Sequence, residues 1–388
     1  MKQKIYIYID GLRRDYLMQY GYFINNMPRM TNYLSQFQKL DMYSPSAWTP
    51  TVLSSIFSAT MPWEHKVLRP YTHSDKAILN KQLENNSQVE LLPGKRIFVT
   101  SNPWILNNDK NGFLNGWHEV NSEVGVYNYG DSKVISELGQ KYILDNKKND
   151  FSLFLHFMDI HGPLNNDTSL CNYILDEDEK HILQNINDYE IDYDGFRSKS
   201  DLDMYYNAHI RRVDYYVSKL LNLLDEQDLW KNVEIVIFSD HGQNLCDKHN
   251  IPEFNIINRH GLLFMEGIHV PCFVWSKNLY NIHKSYSLVD LFGRLKPRGQ
   301  NFSFIANHHN KVWGSITDGK YKLIYDYIKE FCFCSDLIND PRELNMEIIK
   351  PSEISDLFAQ YLTVLFKTID IEGVKEALGG NLETEPYN

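Results

Sequence analysis

Three short segments of the sequence hold side chains that suit metal and ester chemistry. Asp10 follows one apolar run, and Asp240 and His241 together follow another. Thr49 opens an apolar segment with helical spacing. Carboxylate oxygen and imidazole nitrogen are ligands for Zn, Mn and, less well, Mg ions. Because a bound metal lowers the pKa of a nearby hydroxyl, a threonine beside such ligands is a candidate nucleophile.

Each of these residues also has a structural interpretation. An aspartate at the end of a strand, such as Asp10, is an ordinary helix N-cap, and so is a threonine that precedes a proline, such as Thr49. Asp240 and His241 can form a hydrogen-bonded pair without any metal. Two strand ends that offer Asp10 and then Asp240 with His241 shift the balance toward a metal site.

The order of these segments along the chain resembles the alkaline phosphatase superfamily, and specifically its sulfatase-like branch. The resemblance covers most of the chain, and it is the ordered set of segments that makes it specific. The segments that carry it are Ile9-Asp10-Gly11-Leu12-Arg13-Arg14-Asp15, Trp48-Thr49-Pro50 with Pro62 and His65, Arg211-Arg212-Val213-Asp214, Phe238-Ser239-Asp240-His241-Gly242, His260-Gly261 and Asp340-Pro341-Arg342-Glu343-Leu344.

The resemblance implies a role for each residue of the first set. Asp10, Asp240 and His241 match metal ligands of the family, and Thr49 matches the nucleophile, which also binds the metal. One divalent ion of the Mn, Zn, Mg or Ca type is therefore expected, with a second ion kept open. Gly11 stands where many sulfatases have a second aspartate, so the expected ligand set is small.

Three more residues are substrate-binding candidates through the same resemblance. His161 matches a position that contacts the substrate oxyanion, and His260 matches a second residue around the substrate or the metal. Asp159 lies two residues before His161 in the same segment. The structural alternative for Asp159 and His161 is a hydrogen-bonded pair within a loop. A second ion, if bound, would use Asp159, His161 or His260.

Thr49 departs from the pattern of dedicated sulfatases, which carry a cysteine or serine that is converted to formylglycine. Threonine cannot yield that aldehyde, so we predict a metal-dependent hydrolase or transferase that acts on phosphate monoesters or diesters through a covalent Thr49 intermediate. The expected substrate is a small-molecule or glycan-linked phosphate or sulfate ester. The alternatives are a sulfatase that works without formylglycine and a catalytically inactive relative that binds a polysaccharide or a partner protein.

Strand-like and helical segments alternate along the first three quarters of the chain, a pattern typical of α/β folds. We predict an alkaline phosphatase-like sandwich, with a mostly parallel central sheet and helices on both faces. Because ligands gather at the carboxyl ends of parallel strands, Asp10 and Asp240 are expected to meet there. The predicted strands are 5–9, 96–100, 152–157 and 233–238.

Two further segments connect these strands. Apolar residues recur at helical spacing over 202–230, which predicts a long amphipathic helix that leads into the strand at 233. The polar stretch 165–199 resembles an insertion or a lid.

The last part of the chain has a different pattern, with short alternating segments at 312–317 and 321–327 and then a terminal helix over 352–378. This predicts a small antiparallel subdomain with a terminal helix. We therefore divide the chain into a catalytic core, 1–297, and a C-terminal subdomain, 298–388.

Composition excludes several classes of protein. The formal net charge of -11 argues against a nucleic-acid binder, because affinity for a phosphate backbone comes from clustered Lys and Arg. No stretch approaches the roughly eighteen apolar residues that a membrane span requires. The cysteines number 5 and are scattered, which fits a reducing compartment better than a set of disulfides. We therefore expect a cytoplasmic protein.

Overall fold

The computed structural model describes residues 2–68, 81–106, 112–122, 131–161, 199–245, 247, 249, 262–307 and 311–378. In these residues the strands form three sheets. The strands are β1 (Gln3–Ile9), β2 (Gln38–Lys39), β3 (Asp41–Tyr43), β4 (Lys95–Val99), β5 (Glu119–Asn121), β6 (Phe151–Phe157), β7 (Val233–Phe238), β8 (His269–Val270), β9 (Cys272–Trp275), β10 (Ser285–Ser287), β11 (Asn301–Asn307), β12 (Lys311–Thr317), β13 (Tyr321–Asp326), β14 (Phe331–Asp336) and β15 (Glu347–Ile349).

Helices connect and cover these strands. The α-helices are α1 (Thr31–Leu34), α2 (Thr49–Ser58), α3 (Pro62–His65), α4 (Ser87–Glu90), α5 (Pro103–Leu106), α6 (Ser132–Asn146), α7 (Lys199–Glu226), α8 (Met265–Ile268), α9 (Asp356–Thr368) and α10 (Ile371–Ala377). Within the described part of the chain, none of the helices combines the length and the apolar character needed to cross a membrane.

The largest sheet has seven strands in the order β2-β9-β7-β1-β6-β4-β5. Strand β1 lies near its centre and pairs in parallel with β6 on one side and β7 on the other. Strand β9 runs antiparallel to both of its neighbours. The prediction of a mostly parallel central sheet is therefore confirmed. The carboxyl ends of β1, β6 and β7 meet at one edge, because neighbouring parallel strands end side by side.

Both faces of the central sheet are buried, and β1 shows why its sequence is almost continuously apolar. Ile5, Ile7 and Ile9 pack into a core shared with α6 and α7, whereas Tyr6 and Tyr8 pack into a second core shared with α2. Alternate side chains of a strand point to opposite faces, so a strand covered on both sides needs apolar residues at every position. The predicted sandwich with helices on both faces is confirmed.

The four predicted strands correspond to β1, β4, β6 and β7, with ends that differ by up to two residues. The helix predicted over 202–230 is α7, which begins at Lys199 and ends at Glu226. The insertion predicted over 165–199 lies outside the described residues, except for Lys199 itself.

The C-terminal part forms the predicted antiparallel sheet, in which β11 to β15 pair in sequence order. The prediction of one terminal helix over 352–378 is wrong, because the chain forms α9 and α10 with a break between them. Ile369 at the break is extended and buried, and the side chain of Asp370 accepts the backbone N–H of Gly373 to begin a new helix. The division of the chain at residue 297 stays a prediction.

Candidate active site

The residues predicted as nucleophile and metal ligands lie together at the carboxyl edge of the central sheet. Asp10 follows β1, Asp240 and His241 follow β7, and Thr49 is the first residue of α2. All four side chains are buried, with exposures of 0 to 3%. The parallel pairing of β1 with β7 accounts for their meeting, since both strands end at the same level.

The Thr49 hydroxyl points into this cluster. Its oxygen lies 3.2 Å from Oδ2 of Asp10 and 3.1 Å from Nε2 of His241. Trp48 occupies the N-cap position of α2 with an extended backbone, and no side chain caps the helix. Thr49 is therefore not the N-cap, and its hydroxyl is directed toward a carboxylate and an imidazole.

The hydrogen bond on the far side of the His241 ring determines which nitrogen faces Thr49. Nδ1 lies 2.9 Å from the carbonyl oxygen of Gly242, which can only accept a hydrogen bond, so Nδ1 carries the proton. In the neutral ring Nε2 then carries the lone pair. Nε2 lies 3.2 Å from Oδ2 of Asp240, and this tautomer is the one that a metal-binding histidine requires.

Two glycines allow the chain to turn at the ends of β1 and β7. Gly11 has a φ of 72°, in the left-handed region that favours glycine, and its N–H donates to Oδ1 of Asp240 at 3.3 Å. Gly242 lies so close to the backbone of Glu266 that a Cβ atom would be 1.8 Å from the Glu266 carbonyl oxygen. These glycines are thus required by the backbone around the two carboxylates.

His161 joins the cluster from the end of β6. Its Nε2 lies 3.9 Å from Oδ1 of Asp10, and its ring centroid is 6.2 Å from that of His241. The side chain keeps 15% of its surface exposed, whereas the Asp10 side chain is fully buried. His161 therefore stands between the buried cluster and solvent, as a residue that meets a substrate must.

Asp159 lies two residues before His161, but both of its oxygens are engaged elsewhere. Oδ2 accepts the backbone N–H of Ser132, the first residue of α6, and Oδ1 lies 3.2 Å from Nε of Arg212. Burial raises the pKa of Asp159 to about 6, although Arg212 acts in the opposite direction. The structure thus gives Asp159 a place at the start of α6. His260, the third predicted substrate-binding residue, lies outside the described residues.

Two further residues that contact Asp10 were not predicted from the sequence. The hydroxyl of Tyr8 donates to Oδ2 of Asp10 at 3.0 Å, and Nε2 of His156 lies 2.9 Å from the same oxygen. Tyr8 and His156 are register partners on β1 and β6, and their rings stack at 4.1 Å. The only signal in the sequence is that His156 lies in a mostly apolar strand, Phe151–Phe157.

The two buried carboxylates of the cluster differ in their electrostatics. Burial tends to raise the pKa of Asp10, but the nearby His161 and the hydrogen bond from His156 outweigh it and hold this pKa well below its usual range. Burial raises the pKa of Asp240, and the negative charge of Asp10 raises it further. Two carboxylates buried in one cluster call for a cation beside them.

The donor atoms fit a divalent metal ion. Asp10, His161 and His241 each offer one ligand atom, and these atoms lie within 4.8 Å of one another. Oδ2 of Asp240 is buried and accepts no hydrogen bond from the described residues. A buried carboxylate oxygen without a donor is costly unless a cation binds it. Oxygen and imidazole ligands in this combination suit Zn and Mn better than Ca or Mg.

Comparison with known protein families gives a decisive match. The family model described as Sulfatase matches residues 2–295, which include Asp10, Thr49, Asp240 and His241.

The chain belongs to the sulfatase family.

Several solved structures share the fold of this sulfatase-family chain at low sequence identity. One of them, determined in complex with its substrate D-glucosamine-2-N,6-O-disulfate, is 14% identical with a TM-score of 0.69, and the match covers 99% of this chain and 100% of the other. The phosphonate monoester hydrolase of Agrobacterium radiobacter is 14% identical with a TM-score of 0.64, over 97% of this chain and 96% of the other.

A third similar structure is a 2-O GAG sulfatase, 13% identical with a TM-score of 0.63, over 97% of this chain and 93% of the other. No curated protein sequence is significantly similar to the chain. The family match confirms that this protein is an ester hydrolase of the alkaline phosphatase superfamily, as its ordered motifs predicted, and the solved structures share its fold. Members of the sulfatase family depend on a metal, and the Asp and His side chains around Asp10 could hold one in this chain.

Proposed function

We propose that this sulfatase-family enzyme cleaves or transfers phosphate esters, with Thr49 as the nucleophile. The observation that carries the proposal is the position of the Thr49 hydroxyl, which lies 3.2 Å from a carboxylate oxygen of Asp10 and 3.1 Å from the unprotonated nitrogen of His241. Threonine cannot become formylglycine, so this hydroxyl itself must attack the substrate.

The chemistry assigned to the site has two steps. Thr49 Oγ1 forms a bond to phosphorus while the bond from phosphorus to the leaving oxygen breaks, and the hydroxyl proton passes, directly or through solvent, to the leaving oxygen. The oxygen of water or of an acceptor alcohol then bonds to phosphorus as the bond from phosphorus to Oγ1 breaks, and its proton passes to Oγ1 and restores the Thr49 hydroxyl. His161, partly open to solvent beside Asp10, donates a hydrogen bond to a phosphoryl oxygen. Hydrolysis and transfer differ only in the second acceptor.

Asp10, Asp240 and His241, together with Thr49, are the proposed ligands of a divalent ion, and His161 lies close enough to join them. When bound, such an ion stabilises the alkoxide form of the nucleophile and the negative charge of the phosphoryl oxygens. Zn or Mn is the proposed identity, since two imidazoles flank the carboxylate of Asp10. One ion accounts for the described donor atoms.

Hydrolysis of sulfate esters is the second candidate. It is favoured by the similar structures, of which one binds a sulfated glucosamine and another is a 2-O GAG sulfatase. The phosphonate monoester hydrolase, which has comparable similarity, favours phosphorus. The substrate of either reaction would be a small-molecule or glycan-linked ester, and a cytoplasmic location remains our proposal for where it acts.

The test is a substrate panel on the metal-loaded protein, with aryl phosphate monoesters, phosphodiesters, phosphonates and sulfates. We expect turnover of at least one phosphorus ester and a loss of roughly 1000-fold or more for Thr49→Ala, because nucleophile removal abolishes the covalent route. Mass spectrometry of acid-quenched enzyme is expected to find a phosphoryl group on Thr49.

Thr51→Ala is the matched control, because Thr51 lies in the same helix and donates its hydroxyl to the carbonyl of Val67, away from the cluster. This variant should keep its activity and lose about 1 kcal/mol of stability. Equal activity of Thr49→Ala and wild type would contradict the nucleophile. Turnover of sulfate esters alone would establish the second candidate, and no turnover of any ester by a metal-loaded protein would favour a binding relative.

A further inference from the structure

A chain of hydrogen bonds leads from the backbone beyond β4 to the carboxylate of Asp10. The N–H of Asn102 donates to Oγ1 of Thr100 at 3.2 Å, Oγ1 of Thr100 lies 2.9 Å from Nδ1 of His156, and Nε2 of His156 lies 2.9 Å from Oδ2 of Asp10. Thr100, His156 and Asp10 are each 0% exposed, so no solvent competes along the chain.

The carboxylate of Asp10 at one end decides which atom donates in each of these hydrogen bonds. An ionised carboxylate only accepts hydrogen bonds, so the Nε2 atom that faces Asp10 must carry a proton. In the neutral ring Nδ1 is then an acceptor, and the Thr100 hydroxyl must donate to it. The N–H of Asn102 uses a lone pair of the same hydroxyl oxygen, which leaves its proton to face His156. Each donor in the chain thus has one acceptor.

The two oxygens of Asp10 have different neighbours, and only one of them is left for a metal. Oδ2 receives Nε2–H of His156 and the hydroxyl of Tyr8. Oδ1 is the oxygen that faces the imidazoles, at 3.7 Å from Nε2 of His241 and 3.9 Å from Nε2 of His161. Because Nε2 of His156 carries a proton, His156 cannot itself bind the metal through that atom.

We propose that His156, locked in its Nε2–H tautomer by Thr100, is a positioning residue that holds Oδ2 of Asp10 and presents Oδ1 to the metal. This inference rests on the proposed function, since it takes Asp10 as a metal ligand. It adds two residues, Thr100 and His156, that support the ligand without touching metal or substrate. Removal of such a partner typically lowers metal affinity by about 10- to 100-fold.

The experiment is a calorimetric titration of the metal-stripped, full-length protein with Zn²⁺ and with Mn²⁺. His156→Leu removes the donor and is expected to weaken metal binding by about 10- to 100-fold. His156→Gln can place an amide N–H near the position of Nε2 and is expected to restore most of that affinity. Circular dichroism and the melting temperature of each metal-free variant show whether it folds.

Thr100 supplies a second pair of variants that leaves the histidine in place. Thr100→Val keeps the volume, removes the hydroxyl and frees the imidazole to change tautomer, so metal binding is expected to weaken about 10-fold, by the low end of the same range. Thr100→Ser keeps the hydroxyl and should bind metal as the wild type does. The two Thr100 variants test the positioning role of His156 even where His156→Leu fails to fold.

The outcomes separate the inference from the proposed function. Wild-type protein that binds neither Zn²⁺ nor Mn²⁺ would overturn the metal site and this inference with it. Wild type that binds metal, together with folded His156→Leu or Thr100→Val of unchanged affinity, would overturn the inference alone. Weaker binding in both, with recovery in His156→Gln and Thr100→Ser, would establish the positioning role.

Discussion

Gly242 lies in a tightly packed loop in which no side chain would fit at this position. Its N–H donates to the carbonyl of Gly267 at 2.9 Å, and its α-carbon faces the carbonyl of Glu266. The same residue accepts the Nδ1–H of His241 through its own carbonyl. Any Cβ atom at this position must therefore displace the backbone that sets the orientation of His241.

We predict that Gly242→Ala lowers activity and metal affinity by about 100-fold, because a displacement near 1 Å at a reacting site has an effect of that size. Gly299→Ala is the control, since a Cβ atom there meets nothing within 4 Å. Steady-state kinetics and calorimetric metal titration on both variants check the prediction. Retention of wild-type activity by Gly242→Ala would show that this loop does not position His241.

Which site residues could be predicted depended on where they lie in the chain. Asp10, Thr49 and His241 stand at the ends of elements, beside glycine or proline, and their order along the sequence identified the family. Tyr8 and His156 lie inside strands, where each looks like an ordinary core residue. Their contact with Asp10 depends on the pairing of β1 with β6, which no local pattern contains.

A buried ion pair joins the C-terminal sheet to the backbone beside the candidate active site. Nζ of Lys322, on β13, lies 2.7 Å from Oε2 of Glu343, and both side chains are 0% exposed. Oε2 also accepts the N–H of Met265, and Oε1 accepts the hydroxyl of Ser335. Met265 precedes Glu266, whose carbonyl faces Gly242, so the pair supports the loop that carries His241.

We predict that Lys322→Met destabilises the protein by about 3–5 kcal/mol, because it leaves the Glu343 carboxylate buried without its cation. Burial lowers the pKa of Lys322 while Glu343 raises it, so the charge of the lysine depends on this partner. Urea unfolding of the metal-free protein measures the loss.

Lys375→Met is the control, because Lys375 and Glu372 form an ion pair of similar length, 2.9 Å, with 38% and 80% of their side chains exposed. Exposed pairs contribute about 0–1 kcal/mol, so this variant should stay near wild-type stability. Equal stability of the Lys322 and Lys375 variants would mean that the buried pair does not hold the C-terminal sheet in place.

The elements themselves were predicted to different degrees. Strands such as β1 and β7 were clear because an apolar run between turn residues, covered on both faces, has few other interpretations. The break in the terminal helix was not predicted, because apolar residues recur at helical spacing on both sides of Ile369 and Asp370. There the buried Ile369 and the capping bond of Asp370 decide the break, and neither can be recognised without the packing of α9 on the C-terminal sheet.

At the scale of the whole molecule, composition and alternation of elements predicted the sandwich but not its strand order. Strand β1 pairs with β6 and β7, both far away in sequence, and the site exists only because these three strands end together. Such non-local pairing is fixed by packing of the complete chain. The joining of the C-terminal sheet to the core through Glu343 is equally non-local.

A buried carboxylate links the long helix α7 to the N-terminal part of the chain. Asp214 accepts the backbone N–H of Arg29 at 3.1 Å and that of Met30 at 2.9 Å, and its side chain is 0% exposed. Burial raises its pKa to about 6, and the two backbone donors offset only part of this effect. The unfolded chain therefore releases this proton at lower pH than the folded protein.

Because the folded pKa of Asp214 lies above its ordinary value of 3.8, ionisation of this group destabilises the fold. We predict that its contribution to the free energy of unfolding falls by about 3 kcal/mol as pH rises from about 4 to about 7. Asp214→Asn cannot ionise, so the stability of the wild type relative to this variant should decrease over that range. Urea unfolding at several pH values measures this difference.

Asp228→Asn is the control, because the side chain of Asp228 is 84% exposed, and its stability relative to wild type should be nearly constant over this pH range. A relative stability of wild type over Asp214→Asn that stays constant or rises with pH would contradict the raised pKa, and with it the dry environment between α7 and the segment around Met30.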